Sequence, residues 1–204
     1  MKGSRPLSDD EIRKIGLYFD KWIGDPDLDR FDLLIRDKTL IFFTIYTGFR
    51  INEVLSLKLA DVIGHEKNIS SYVYLQKQNT KGKRSGRTGI INSKCRELLK
   101  TYFDHYHLWD IERTQKGLWF SKKGDLQNRQ ALNIFKTIFD SNQLDGKLST
   151  HTARKTFSRL VYKNLNEDIL GLKSALGHSS ISSTMSYIEE NKEKVNKVLE
   201  NLEL

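Results

Sequence analysis

The sequence predicts an α+β fold, mainly α-helical, with a small antiparallel β element. Three observations predict it. Only two prolines, Pro6 and Pro26, interrupt 204 residues, which leaves room for long unbroken helices, because proline removes an amide donor and clashes inside a helix. Apolar residues recur at helical spacing on both sides of the middle of the chain. From Val62 to about Asn92 the period changes to strand-like runs parted by a polar turn.

Taken in order, residues 1–7 are expected to form a flexible arm. Ser8 followed by Glu11 reads as a capping box that opens a helix with Ile12, Ile15, Leu17, Phe19 and Ile23 as its apolar positions. Gly24-Asp25-Pro26-Asp27 ends it. Asp29 to about Gly48 is apolar and helical, and is expected to be the buried centre of the fold. Thr47-Gly48 breaks it, and a second helix starts near Arg50 with Val54, Leu55, Leu57 and Leu59. Tyr72-Val73-Tyr74-Leu75 and Gly89-Ile90-Ile91 are strand-like, and the polar run between them predicts a β-hairpin with a basic tip. Helices follow over 93–106 and 128–140, with Leu118-Trp119-Phe120-Ser121 as a short extended piece between them. Ser149-Thr150 caps a helix holding His151 and Arg154. A helix over 168–176 ends at Gly177, and a short one runs from Ser180 to Tyr187. Residues 189–204 read as a tail helix, with an apolar stripe of Ile188, Val195, Val198, Leu199 and Leu202. No linker or internal repeat divides the chain, so 1–204 is read as a single domain.

The composition narrows the function. Apolar residues make up 38% and charged residues 29%, with a net charge of +8 and an isoelectric point near 9.4. Such a surplus favours a polyanionic partner, nucleic acid before anionic membrane. The charge is concentrated: residues 71–100 hold eight basic side chains against the single acid Glu97. One cysteine, Cys95, excludes an internal disulfide and fits a reducing compartment. No apolar run approaches a membrane span and no signal-peptide core is present, so the expected location is cytoplasmic.

Several residues could carry chemistry. His151 and Arg154 stand three apart and are expected to share a helix face. His178 precedes Tyr187 by nine residues in a run of small hydroxyl residues. Arg50 follows the Thr47-Gly48 break. Each is weak alone: a lone H-x-x-R is most often a surface pair, and a lone histidine most often a packed one. Together they suit one phosphodiester. Two arginines can grip its non-bridging oxygens with bidentate, charge-assisted hydrogen bonds. Histidines can donate to it or take a proton. A tyrosine hydroxyl, with an unperturbed pKa of about 10, becomes a usable nucleophile among such groups. No metal is needed where the cations are side chains. His105-x-His107 has no third ligand at a suitable spacing and reads as helix surface. Gly82, Gly86 and Gly89 read as hairpin glycines, since no Gly-Lys-Ser/Thr opens a helix there. Trp22, Trp109 and Trp119 read as core.

Thr47-Gly48-Phe49-Arg50-Ile51-Asn52-Glu53-Val54, then His151-Thr152-Ala153-Arg154-Lys155-Thr156-Phe157, then Leu176-Gly177-His178-Ser179-Ser180 through Tyr187, resemble the signature boxes of the tyrosine recombinase (phage-integrase) family, in its order and spacing. The resemblance implies a mainly helical catalytic domain with a small three-stranded antiparallel sheet. It implies a cut-and-rejoin reaction on double-stranded DNA with no metal, ATP or other cofactor. Arg50 and Arg154 would clamp the scissile phosphate, His178 would hydrogen-bond it, and His151 would assist proton transfer from the tyrosine. Tyr187 would form a 3′-phosphotyrosine bond and release a 5′-hydroxyl. Glu53 matches an acidic position that supports the site. The family's hairpin lysine, general acid for the leaving oxygen, matches Lys81 in Lys81-Gly82-Lys83-Arg84, with Lys77 as its competitor. Ile90 stands near the place where the family often has proline.

The resemblance also bears on assembly. The chain ahead of the central helix is too short for the separate N-terminal DNA-binding domain that most members carry, so it is expected either as a fragment or as one of the short members made of the catalytic domain alone. The tail helix suits docking on a neighbouring protomer or on its own subunit. A homotetramer on two DNA sites is expected, with a monomer or weak oligomer without DNA. The competing functions are a type IB topoisomerase-like or hairpin-resolving enzyme, which shares the phosphotyrosine chemistry, and a DNA-binding regulator that has lost catalysis.

Overall fold

A computed structural model describes residues 3–23, 31–76, 86–109 and 115–187. Its elements run α1 (Asp9–Ile23), α2 (Phe31–Thr47), α3 (Ile51–Leu55), β1 (Tyr72–Leu75), β2 (Arg87–Ile90), α4 (Ser93–His105), β3 (Phe120–Ser121), β4 (Gly124–Asp125), α5 (Asn128–Ser141), α6 (Thr150–Asn164), α7 (Ile169–Leu176) and α8 (Ile181–Met185). The residues group into two compact units, and the division falls inside α6, between Phe157 and Ser158.

The first unit is built around α2. Leu40, Ile41, Phe43 and Ile45 are buried without solvent contact or nearly so. Thr39, Thr44 and Thr47 are buried too, and each donates its hydroxyl to the carbonyl four residues back at 2.7 Å, which satisfies polar groups that the core would otherwise strand. Helix α1 opens as expected: Glu11 N–H donates to Ser8 Oγ at 3.2 Å, and Ser8 N–H donates to Glu11 Oε2 at 2.8 Å. An aromatic cluster joins α2 to α4: Trp119 stands 5.5 Å from the rings of both Phe43 and Tyr102. Its indole N–H donates to Val54 O at 3.0 Å and the Tyr102 hydroxyl donates to Leu118 O at 2.7 Å, so both buried polar tips are paired.

Two expectations are corrected here. Residues 3–7 are not a loose arm. Leu7 is buried, and its N–H donates to Thr156 Oγ1 at 2.8 Å. Arg5 N–H donates to Lys147 O at 3.0 Å, and the Arg5 guanidinium forks onto Glu11. Among the described residues there is also no three-stranded sheet but two antiparallel pairs, β1–β2 and β3–β4. The extended piece near Leu118 has other partners: Leu118 N–H donates to Leu57 O at 2.7 Å and Leu59 N–H to Lys116 O at 3.0 Å.

The β1–β2 hairpin pairs Tyr72 with Ile90, Val73 with Gly89, Tyr74 with Thr88 and Leu75 with Arg87. Val73 and Leu75 are buried while Tyr72 and Tyr74 face solvent, the two-residue alternation of a half-buried strand. The tip of the hairpin, with Lys77 and Lys81, lies outside the described residues, as does the tail 189–204. Cys95 is a buried free thiol, and burial pushes its pKa up. Among the described residues no helix is long and apolar enough to cross a membrane.

The second unit holds α7 and α8. Asp168 caps α7, its carboxylate accepting the Leu170 N–H at 2.8 Å. Gly177 ends the helix in the left-handed region at φ 63°, where the His178 N–H reaches back to Lys173 O at 3.0 Å.

Candidate active site

The first unit carries the arginines. Gly48 follows the last turn of α2 with φ 62°. A Cβ there would lie 2.3 Å from the Phe157 ring, so glycine is required both by the backbone and by the approach of α6. The Arg154 side chain is fully buried at 0% exposure, and its Nη1 donates to the Gly48 carbonyl. One hydrogen bond thus ties the helix of the second arginine to the turn of the first.

Arg50 stands two residues on, at the N-cap of α3. Its N–H donates to Glu53 Oε2 at 2.8 Å and its Nη1 to Glu53 Oε1 at 3.1 Å. Glu53 is 1% exposed. Its second oxygen also accepts Arg87 Nη2 from β2 at 2.8 Å. Burial pushes the Glu53 carboxyl up, but the Arg87 charge, the Arg50 N–H and the Arg50 charge outweigh it, and the carboxyl is held below its ordinary value. The Arg87 guanidinium lies over the Phe49 ring, 4.5 Å from its centroid. Phe49 is itself buried against the hairpin, where a Cβ on Gly89 would come within 2.1 Å of the ring.

His151 lies on the first turn of α6, its N–H donating to Ser149 Oγ at 3.2 Å. It is exposed while Arg154 is buried, so of two residues about 60° apart around the helix one reaches solvent and the other does not.

The second unit carries the other two predicted residues and brings them together. His178 is 8% exposed, and its Nδ1 lies 3.0 Å from Thr184 Oγ1 in buried surroundings. Its ring stands 5.5 Å from that of Tyr187, tilted by 43°. The Tyr187 N–H donates to Thr184 O at 2.9 Å, so Thr184 fixes both residues, one through its hydroxyl and one through its carbonyl.

The structure therefore pairs Arg50 with Glu53 and ties Arg154 to the Gly48 turn ahead of Arg50 in the first unit, which also holds His151, and joins His178 and Tyr187 in the second; Lys81 lies outside the described residues. Sequence reasoning missed two contributors. In the sequence Arg87 reads as one of the eight basic side chains of 71–100, and Thr184 as one of several small hydroxyl residues. Among the described residues no three His, Cys, Asp or Glu side chains gather where they could hold a metal ion.

Known proteins resemble the chain in both sequence and fold. The tyrosine recombinase XerH of Campylobacter jejuni is 27% identical over 163 residues, 79% of this chain and 43% of that protein. A tyrosine recombinase XerD of Staphylococcus saprophyticus is 27% identical over 165 residues, 80% of this chain and 53% of that protein. The chain thus spans about half the length of these curated relatives. The probable integrase/recombinase YoeC of Bacillus subtilis is 30% identical over 156 residues, 75% of this chain and 77% of that protein. In fold, the chain is similar to the crystal structure of the XerH site-specific recombinase bound to a palindromic difH substrate in a post-cleavage complex. The TM-score is 0.73 at 22% identity, over 96% of this chain and 52% of that one. The XerA recombinase gives a TM-score of 0.71 at 20% identity, over 99% and 66%. The family model described as the phage integrase family matches residues 19–194. The residues matched include both arginine segments and the His178–Tyr187 segment, and the chain belongs to the phage integrase family.

Proposed function

We propose that the chain is the catalytic part of a site-specific tyrosine recombinase that cuts and rejoins double-stranded DNA through a 3′-phosphotyrosine bond at Tyr187. The observation that carries this reading is the tie between Arg154 and the Gly48 carbonyl, which fastens both candidate phosphate-gripping arginines to one turn. Fixed guanidinium groups stabilise the charge that builds on the non-bridging oxygens as phosphorus becomes five-coordinate. Tyr187 Oη attacks phosphorus, the bond to the 5′ oxygen breaks with its electron pair, and that oxygen is protonated as it leaves. Lys81 is the proposed donor of that proton, and His151 the proposed acceptor of the tyrosine's proton. His178, oriented by Thr184, donates to the phosphate. Reversal with a new 5′-hydroxyl reseals the strand; the covalent bond conserves the phosphodiester energy, so no cofactor enters. The basic stretch 71–100 supplies salt-dependent contacts to the DNA backbone. The apolar stripe of the tail suits protomer contacts in a tetramer on two DNA sites.

The test is a nicked duplex that loses its 5′-hydroxyl fragment on cleavage. Wild type is expected to accumulate a covalent protein–DNA adduct, and Tyr187→Phe none. An adduct in Tyr187→Phe would sink the nucleophile assignment, and adducts without strand exchange between two duplexes would point to a topoisomerase-like enzyme instead.

A further inference from the structure

Resting on the phosphoryl-transfer reading above, we infer that Arg87 is a positioning residue for Arg50: it supplies a second counter-charge to Glu53 and so leaves the charge of Arg50 for the phosphate. Glu53 cannot rely on water to balance its charge, since its side chain is only 2% exposed. A buried carboxylate facing a single arginine would form a neutral pair and draw that guanidinium onto itself. Here two arginines share one carboxylate, and the trio carries a net positive charge. The distances show which arginine is bound more closely by its side chain: Arg87 Nη2 stands 2.8 Å from Oε2, whereas Arg50 Nη1 stands 3.1 Å from Oε1. Arg50 is also the more exposed of the two, at 24% against 15%.

Arg87 is built to stay in place. It is the first residue of β2, registered opposite Leu75, and its guanidinium rests on the Phe49 ring one residue before Arg50. Phe49 in turn is pressed against Gly89, two residues along the same strand. The hairpin thus grips the Arg50 turn twice, once through the aromatic ring and once through the shared carboxylate. A residue read as one more cation of a basic hairpin points inward instead, 34 residues from its acidic partner.

The experiment compares Arg87→Met, Arg87→Lys and the double variant Glu53→Gln/Arg87→Met with wild type on the nicked substrate. Arg87→Met is expected to slow adduct formation about tenfold to a hundredfold, the scale of one charge-assisted hydrogen bond. The double variant is expected to recover most of that loss, because the neutral amide that replaces the Glu53 carboxylate no longer competes for Arg50. A merely structural Arg87 would give no such recovery. Arg87→Lys, which keeps the charge but loses the fork, is expected between the two. In the free protein, carbon-13 titration of the Glu53 carboxyl is expected to move upward in Arg87→Met. An unmoved Glu53 titration, or a double variant as slow as Arg87→Met, overturns the inference. If wild type forms no adduct, the recombinase reading fails, and the Glu53 titration still decides the charge pairing.

Discussion

Arg154 donates a hydrogen bond to the carbonyl of Gly48, joining residues 106 positions apart. Gly48 turns through φ 62° beneath the Phe157 ring. Gly48→Ala is therefore expected to destabilise the protein by roughly 2 to 5 kcal/mol, adding left-handed strain to an overpacked contact. Urea unfolding measures this. A loss no larger than the roughly 1 to 2 kcal/mol that a left-handed backbone alone costs an L-residue would show that the Phe157 contact contributes nothing.

Thr184 is the hinge of the second unit's site. Thr184→Val keeps the shape and removes the oxygen 3.0 Å from His178 Nδ1. It is expected to slow adduct formation on the order of tenfold, with Thr184→Ser restoring the rate. Nitrogen-15 spectra of the His178 ring should report a changed tautomer balance in Thr184→Val alone. An unchanged ring spectrum would separate His178 from Thr184.

Acid should loosen the clasp between Arg5 and Glu11. The hydrogen bond from Arg5 holds the Glu11 carboxyl down to about 2 against the opposing effect of burial, with the Ser8 N–H assisting. Because the folded value lies below the ordinary 4.5, the stabilisation is complete above that pH and is lost as the pH falls toward 2. Glu11→Gln is expected to lower the melting temperature at neutral pH and to match wild type progressively as the pH drops through that window. A melting-temperature gap that stays constant down to pH about 2 would contradict it.

Local chemistry was legible in the sequence. The Ser8–Glu11 box, the alternation of Tyr72 to Leu75, the threonine–glycine break after α2 and the stop at Gly177 each depend on neighbours within a few residues, and the structure bears all of them out. What the sequence hid was the choice of distant partner. Nothing near Leu7 indicates that its N–H will meet Thr156. Nothing near Leu118 indicates that its N–H will meet the carbonyl of Leu57. The inward turn of Arg87 onto Glu53 is of the same kind. His151 and Arg154 show the limit of periodicity: three residues on a helix leave about 60° between side chains, enough for one to be exposed and the other buried.

The binding of residues 4–7 has a mechanical consequence. Leu7 is anchored on Thr156, two residues past Arg154, and Arg5 on the loop that leads into α6. A load applied ahead of Gly3, whether from a fused domain, a surface tether or an optical trap, is shared at Arg5 between Glu11 of α1 and the loop into α6, and meets α6 itself at Leu7. The leading segment is in this sense a tension line to both helices, and a bulky fusion at that end would pull on the helix that carries Arg154.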